Sequence, residues 1–251
     1  MKITILTIFP NLFQTLTENT IIKRAIANNL VELNIVNIRD YTKDKYKRVD
    51  TPPIGGGSGL IMKCQPIVDA LKFNSTNKTL KILLSPKGKT YNQKDAIRLS
   101  KQDETLLICG NYEGIDDRIS NYVDETISIG DFILTGGEIA AIAIANSIIR
   151  LVPHSINNES IIDETFENNL LEYPQYTEPI NFEGHLVPEV LLCGNHEIIN
   201  RYRYKMSLKL TKKYRPDLFN KLNLTKDDLE LLNEDDISEI ELKAINNNKK
   251  K

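Results

Sequence analysis

The chain has 251 residues, 41% of them hydrophobic and 26% charged, a composition that allows one large globular domain or two smaller ones. Its formal net charge of −2 gives no overall indication of nucleic-acid binding, although a locally basic face is compatible with it. Three widely spaced cysteines and three histidines without ligand spacing argue against a disulfide framework and a zinc site, so no metal ligands are predicted. The chain begins on an apolar strand without a signal-peptide pattern, and we expect a cytoplasmic protein.

Strand-like and helix-like apolar patterns alternate along the first half of the chain. Residues 1–8 form a nearly continuous apolar run that predicts a buried strand, and residues 12–29 have helical spacing. The alternation continues with predicted strands at residues 31–38, 81–84 and 105–109 and predicted helices at residues 65–73 and 93–100. This rhythm predicts an α/β fold with a parallel sheet and helices on its faces.

Residues 39–50, which we name the first basic segment, interleave cationic and aromatic side chains. The glycine-rich loop at residues 51–59 follows directly. Such a combination is typical of a phosphate-binding or nucleic-acid-binding surface, and a solvated flexible loop is an equally good interpretation. The side chains concerned are Tyr41, Lys43, Lys45, Tyr46, Lys47 and Arg48.

The stretch from Ser128 to Glu138 has the most distinctive pattern of the chain. It predicts a tight turn at Gly130, a short strand at residues 132–134, and a pair of glycines that opens a helix from Glu138 to about Arg150. Nearly every residue of this helix is apolar, and a helix that is apolar on all sides must be buried on all sides. Because it is too short to span a membrane, we expect a core helix or a subunit interface.

Two further predicted strands end in loops rich in small residues, at residues 85–89 and 110–118. In open α/β sheets, ligands bind outside the carboxyl ends of the strands. Backbone amides and carbonyls in such loops can recognise an adenine edge without charged side chains. With the glycine pair, these loops predict a small-molecule site. The chain has neither a P-loop ending in Gly-Lys-Ser/Thr nor a dinucleotide-binding Gly-x-Gly-x-x-Gly motif.

The second half of the chain predicts a linker and then a small helical domain. Asn195 can cap a helix that runs from residue 196 to about residue 212, and shorter helices are expected at residues 217–222 and 225–232. The last residues, 246–251, predict a disordered tail. The long helix is rich in basic residues and tyrosines, and gives this domain one basic face.

With these residues in view, the chain resembles the bacterial tRNA (guanine-N1)-methyltransferase family, TrmD, of the SPOUT class. The similarity runs in order through most of the chain and fades after about Pro216. No single motif is specific, but their ordered combination is. The matching stretches are Ile8-Phe9-Pro10, Val49-Asp50 with Gly55-Gly56-Gly57, Leu84-Ser85-Pro86, the run from Gly110 to Asp116, the run from Ser128 to Glu138, the run from Leu170 to Pro179, and the run from Leu192 to His196.

The resemblance implies a SPOUT-type parallel sheet with a C-terminal trefoil knot, and a small helical domain after it. It divides the chain into a methyltransferase domain at residues 1–158, a flexible linker at 159–174 and a helical tRNA-binding domain with a disordered lysine-rich tail at 175–251. It also implies a homodimer whose active sites combine both subunits. The expected activity is transfer of a methyl group from S-adenosylmethionine to N1 of the guanine immediately 3′ of the tRNA anticodon, with no membrane or DNA partner and with a family association with Mg²⁺.

The resemblance also assigns roles to single residues. Glu164 matches the general base, with Asp163 as its rival, and Arg150 matches the cation near the guanine carbonyl. Arg24, Asp50 and Asn195 match substrate-side positions. We also expect the cations of the two basic segments to bind RNA phosphates, in the basic helix in particular Arg201, Arg203 and Lys205. The expected cofactor-binding residues are Leu83, Leu84, Ser85, Pro86, Gly110, Glu113, Ile129, Gly130, Phe132, Leu134, Gly136 and Gly137.

Three departures from the family pattern keep an alternative open. Glu164 replaces the usual aspartate, Ala140 replaces a proline that shapes one pocket wall, and Glu178 replaces an arginine that could contact phosphate. The first departure leaves a catalytically impaired RNA-binding homologue as the alternative function. A nucleotide-binding metabolic enzyme without an RNA partner is a third possibility, and the basic, tyrosine-rich helix argues against it.

Overall fold

The computed structural model describes residues 1–155 and 169–248. The chain divides into two compact units, Met1–Ile161 and Ile162–Lys251, and each is described by itself. The predicted catalytic residue Glu164, its rival Asp163 and much of the predicted linker lie outside the described residues.

A parallel five-stranded sheet forms the centre of the first unit, with the strand order β2-β1-β6-β5-β7. Residues of β1 are buried on both faces of the sheet, which is the pattern expected when helices cover both sides. The predicted α/β fold with a parallel sheet is therefore confirmed. Its strands are β1 (Lys2–Thr7), β2 (Glu32–Asn37), β5 (Leu80–Thr90), β6 (Glu104–Cys109) and β7 (Glu125–Ser128), and the short strands β3 (Asp50–Thr51) and β4 (Ile61–Met62) form a separate antiparallel pair.

Helices cover both faces of this sheet and bury two apolar clusters against it. One predicted helix, at residues 12–29, is interrupted because the Asn19 side chain accepts hydrogen bonds from the backbone N–H groups of Ile21 and Ile22 and so begins a new helix. The helices are α1 (Gln14–Glu18), α2 (Thr20–Ala27), α3 (Cys64–Asn74), α4 (Gln93–Ser100) and α5 (Glu138–Ile149), with 3-10 turns at Pro10–Phe13, Ile38–Tyr41 and Asp117–Tyr122.

The segment between β7 and α5 differs from its prediction. Residues 132–134 form no strand, and their apolar side chains are exposed, Ile133 by 82%. The edge strand is instead β7, whose alternating Glu-Thr-Ile-Ser sequence gives only a weak apolar signal. Helix α5 is also not buried on all sides within one chain, because Ile139 is 53% exposed.

The second unit consists mainly of helices. Its longest helix begins after Asn195, whose side chain accepts hydrogen bonds from two N–H groups of the first turn, as predicted. The predicted cap at Thr225 is also confirmed, since Thr225 and Asp228 form a reciprocal capping box. Residues 246–248 are helical, contrary to the predicted disordered tail, and the last three residues lie outside the described part. The helices are α6 (His196–Tyr214), α7 (Pro216–Phe219), α8 (Lys226–Asn233) and α9 (Glu239–Asn248), preceded by the hairpin β8 (Asn181–Phe182) and β9 (His185–Leu186).

Candidate functional site

A cavity of about 570 Å³ lies at the carboxyl ends of β5, β6 and β7, in the size range of small-molecule sites. The loops after β6 and β7 line it, as the sequence predicts for a parallel sheet. The predicted loop at residues 85–89 is instead the irregular second half of β5, where the pairing with β7 shifts register between Leu84 and Lys89, and Ser85, Pro86 and Lys87 line the cavity from there. All twelve residues expected to bind the cofactor line this cavity, and their binding role stays a prediction. They are Leu83, Leu84, Ser85, Pro86, Gly110, Glu113, Ile129, Gly130, Phe132, Leu134, Gly136 and Gly137.

The chain closes one wall of the cavity by returning from β7 to the end of β6. Because β5 lies between these two strands, the returning segment passes across the end of β5. It is fixed there by a bridge between Asn111 and Gly136 and by a 2.7 Å hydrogen bond from the Gly137 N–H to the Gly110 carbonyl. A Cβ at Gly137 would lie 2.9 Å from the Cα of Cys109, so only glycine allows this approach.

A buried polar junction holds the start of α5 beside these loops. Glu138 is 3% exposed, and its Oε1 accepts hydrogen bonds from the Thr7 hydroxyl at 2.7 Å and from the Asn111 side-chain amide at 2.8 Å. Burial, together with the charge of Glu138, raises the pKa of the Cys109 thiol well above its usual value. This thiol is therefore a protonated packing group, and Glu138 is a structural carboxylate that ties β1, β6 and α5 together.

Two ion pairs stand at the rim of the cavity. The Nζ of Lys87 lies 2.9 Å from Oδ1 of Asp117, and Arg118 makes two hydrogen bonds to the carboxylate of Asp116. The hydrogen bonds from Arg118 hold the pKa of Asp116 well below its usual range. Lys87 and Asp117 are absent from the sequence-based candidates, although both belong to loops that the sequence singles out.

The predicted reaction and substrate residues of the first unit do not line the cavity. Arg24 is exposed on α2, and Asp50 is half-buried in β3. Arg150 follows the last residue of α5, whereas Gly137 at the start of that helix lines the cavity. At 1.5 Å per residue, α5 separates Arg150 from the cavity by about 18 Å.

The first basic segment is exposed and contains its own counter-charges. Lys47 pairs with Asp40 at 2.9 Å, and Arg48 pairs with Asp44 at 2.9 Å. Hydrogen bonds from Arg48 lower the pKa of Asp44 to about 2, so this pair persists at neutral pH. The ring of Tyr46 is 73% exposed.

Comparison with known proteins gives one consistent result. The sequence model of the family described as tRNA (Guanine-1)-methyltransferase TrmD matches residues 1–221. A Clostridium botulinum (strain Eklund 17B / Type B) protein called tRNA (guanine-N(1)-)-methyltransferase is 53% identical over 92% of this chain and 98% of its own length. Relatives with the same name from Malacoplasma penetrans and Clostridium tetani are 53% and 50% identical over 88% and 94% of this chain, and 98% and 99% of their own lengths.

This chain belongs to the tRNA (guanine-1)-methyltransferase family. The match of the family model ends at residue 221, so it includes the cavity and α6 but not α8 and α9.

Helices α8 and α9 matter because they change the environment of the predicted phosphate-binding residues. Lys205 is fully buried, with Nζ 3.0 Å from Oε1 of Glu241 and 3.3 Å from Oε2 of Glu234. The Arg201 guanidinium bonds the same two carboxylates. The prediction that Lys205 binds phosphate is wrong, since a buried and paired ammonium presents no charge to a ligand.

The other predicted substrate residues of this unit occupy more open positions. Arg203 stacks on the ring of Tyr173, with its guanidinium carbon 4.8 Å from the ring centre. Asn195 is exposed and uses its side-chain oxygen to cap α6. The RNA-binding roles of Arg201, Arg203 and Asn195 stay predictions.

Over residues 1–155 and 169–248, no three His, Cys, Asp or Glu side chains are grouped as a metal site requires. No described helix combines the length and apolar character needed to cross a membrane.

Proposed function

We propose that this chain transfers a methyl group from S-adenosylmethionine to N1 of the guanine immediately 3′ of a tRNA anticodon. The observation that carries the proposal is the cavity at the strand ends, lined by every residue that the family resemblance assigns to cofactor binding. The names of relatives that are about half identical over nearly their whole length support the same reaction.

The cavity fits the proposed cofactor in chemistry as well as in size. It offers apolar contacts from Leu84, Phe132 and Leu134 and open backbone groups from the glycine loops. Carboxylates at its rim suit a positively charged ligand. When bound, S-adenosylmethionine supplies an electrophilic methyl group on a sulfonium.

The residues of this chain then have two chemical tasks. N1 of guanine carries a proton, and we assign its removal to the carboxylate of Glu164, with Asp163 as the rival base. Negative charge develops on the neighbouring carbonyl oxygen, and the Arg150 guanidinium stabilises it. The target base must be turned out of its loop to reach the cavity.

The position of Arg150 supports a homodimer with shared active sites. Since α5 separates Arg150 from the cavity of its own chain by about 18 Å, its natural target is the cavity of a second subunit. Apolar side chains exposed near the cavity, among them Ile133 and Ile139, provide surface for such an interface.

The finer features of the family remain part of this proposal. They are a trefoil knot in the methyltransferase domain at residues 1–158, a linker at 159–174 and a tRNA-binding domain at 175–251. Passage of the chain across the end of β5 is consistent with a knot. We assign tRNA contacts to the first basic segment and to Arg24, Asp50, Asn195, Arg201 and Arg203. A cytoplasmic location and the association of the family with Mg²⁺ complete the proposal.

Methyl incorporation into unmodified tRNA transcripts tests this function. The full chain should methylate a transcript with guanine immediately 3′ of the anticodon and should leave the matched transcript with adenine there unmodified. Without transfer to either transcript, while tRNA still binds, the protein would be the catalytically impaired homologue.

Substitutions then test the catalytic assignment. Glu164→Gln should lower turnover by about 10²-fold or more with unchanged cofactor binding, whereas Asp163→Asn should have little effect. Arg150→Ala should also slow the chemical step. An inactive Asp163→Asn variant beside an active Glu164→Gln variant would identify Asp163 as the base.

A further inference from the structure

The charged side chains that line the cavity are mostly carboxylates. Among the described residues that line it, Lys87 is the one cation, and its side chain is 79% exposed at the rim. Its partner Asp117, which is 85% exposed, comes from the loop after the neighbouring strand. An ion pair this exposed adds little to folding stability, so it can be opened by a ligand at small cost.

The backbone at both residues is held in place by its packing and hydrogen bonds. Directly after Lys87, the backbone of Gly88 packs against that of Ile127 so closely that a Cβ would collide with it. Asp117 begins a 3-10 turn that is capped by the Asp116 side chain and anchored by the fully buried Ile119. The fold therefore fixes the backbone from which the Lys87 ammonium and the Asp117 carboxylate extend to the rim.

We infer that Lys87 and Asp117 together bind the α-amino acid end of the methyl donor, Lys87 its carboxylate and Asp117 its ammonium group. This inference rests on the proposed function. An α-amino acid carries both charges on a single carbon, so it needs a cation and an anion side by side. Asp116 is less suited to this role, because Arg118 already engages both of its oxygens.

The pair gives the site a means of distinguishing nucleosides that share the adenosine part. A ligand with the amino acid end replaces one exposed ion pair with two charge-assisted contacts. A ligand without that end leaves the Lys87–Asp117 ion pair intact and makes no charge-assisted contact with it. Selectivity for the complete donor and its demethylated product would therefore arise at the rim.

Calorimetry with two thioether nucleosides tests the inference without turnover. S-adenosylhomocysteine has the amino acid end, and 5′-methylthioadenosine lacks it. In Lys87→Met, the Kd for S-adenosylhomocysteine should rise about tenfold, and the Kd for 5′-methylthioadenosine should stay within about twofold of the wild-type value. Lys89→Met is the matched control, because Lys89 is 72% exposed on the same strand but pairs with Asp95 away from the cavity.

Decarboxylated S-adenosylmethionine separates the roles of the two side chains. It lacks the carboxylate but keeps the ammonium group, so Asp117→Asn should weaken its binding and Lys87→Met should not. If Lys87→Met weakens the binding of S-adenosylhomocysteine and of 5′-methylthioadenosine equally, or leaves both unchanged, this inference fails and the proposed function stands. If the wild-type chain binds neither nucleoside, the proposed function fails and the inference with it.

Discussion

Two stretches of this chain look alike in sequence and differ in the folded protein. The first basic segment and helix α6 both interleave lysines and arginines with tyrosines. In the first basic segment Lys47 and Arg48 are exposed and pair with carboxylates only a few residues away. In α6, Lys205 and Arg201 pair with Glu234 and Glu241, which α8 and α9 bring from 29 to 40 residues away. The same residue types thus form an exposed surface in one region and, at Lys205, a buried ion pair in the other.

The largest effect is expected from Lys205→Met. Removing Lys205 leaves two carboxylates, Glu234 and Glu241, with Arg201 as their shared cation, and breaking a buried ion pair in this way costs up to about 3–5 kcal/mol. The free energy of unfolding of the second unit should fall by that amount. Urea denaturation followed by circular dichroism measures it. Lys213→Met is the matched control, since Lys213 is exposed on the same helix and should give almost no shift.

A second substitution distinguishes charge imbalance from lost packing. Lys205→Met combined with Glu241→Gln should recover part of the lost stability, because neither member of the buried pair then carries a charge. If Lys205→Met changes stability no more than Lys213→Met does, α6 is a solvated basic helix and the comparison fails.

The second prediction concerns tRNA binding by the first basic segment. Replacing Lys43, Lys45 and Arg48 together with alanine should weaken tRNA binding by at least about tenfold and should reduce the salt slope of log K by up to about 2–3. The melting temperature should be unchanged, because exposed pairs contribute little to stability. Filter binding across a salt series measures affinity and slope together. An unchanged slope would mean that this segment is merely solvated.

Local signals account for the parts of the molecule that sequence predicts well. The bounds of α4 and the Asn195 cap of α6 depend on neighbouring residues, and both are observed as predicted. The cavity is predictable because parallel strands place their carboxyl ends at one edge.

Distant partners account for what the sequence misses. The sequence predicts that Lys205 binds phosphate because its true partner, Glu241, lies 36 residues further along the chain, beyond the range of a local pattern. The edge strand β7 is missed because it is short and half polar, whereas the nearby apolar run at residues 132–134 is an exposed loop. The Lys87–Asp117 pair likewise joins β5 to the segment after β6, 30 residues further along the chain.

The third prediction is a dependence of stability on pH in the second unit. Hydrogen bonds from Arg201 lower the pKa of Glu234 below its ordinary value of 4.5. Because the folded pKa lies below the unfolded one, its contribution is complete above about pH 4.5 and is lost as pH falls through the folded pKa. Glu234→Gln should therefore show a flatter loss of stability below pH 4.5, and an unchanged pH profile would contradict the network.

The smallest effect should come from Asp44→Asn in the first basic segment. Asp44 accepts hydrogen bonds from the Arg48 guanidinium and from the backbone N–H of Tyr46. Asparagine keeps an oxygen for the backbone contact but removes the charge that neutralises Arg48, so Arg48 becomes available to a phosphate. We expect tRNA affinity to rise about threefold, with an unchanged melting temperature. Glu234→Gln in the second unit should instead lower stability without raising affinity, since Arg201 there stays paired with Glu241. Equal responses of the two variants in both measurements would mean that the two basic regions have the same role.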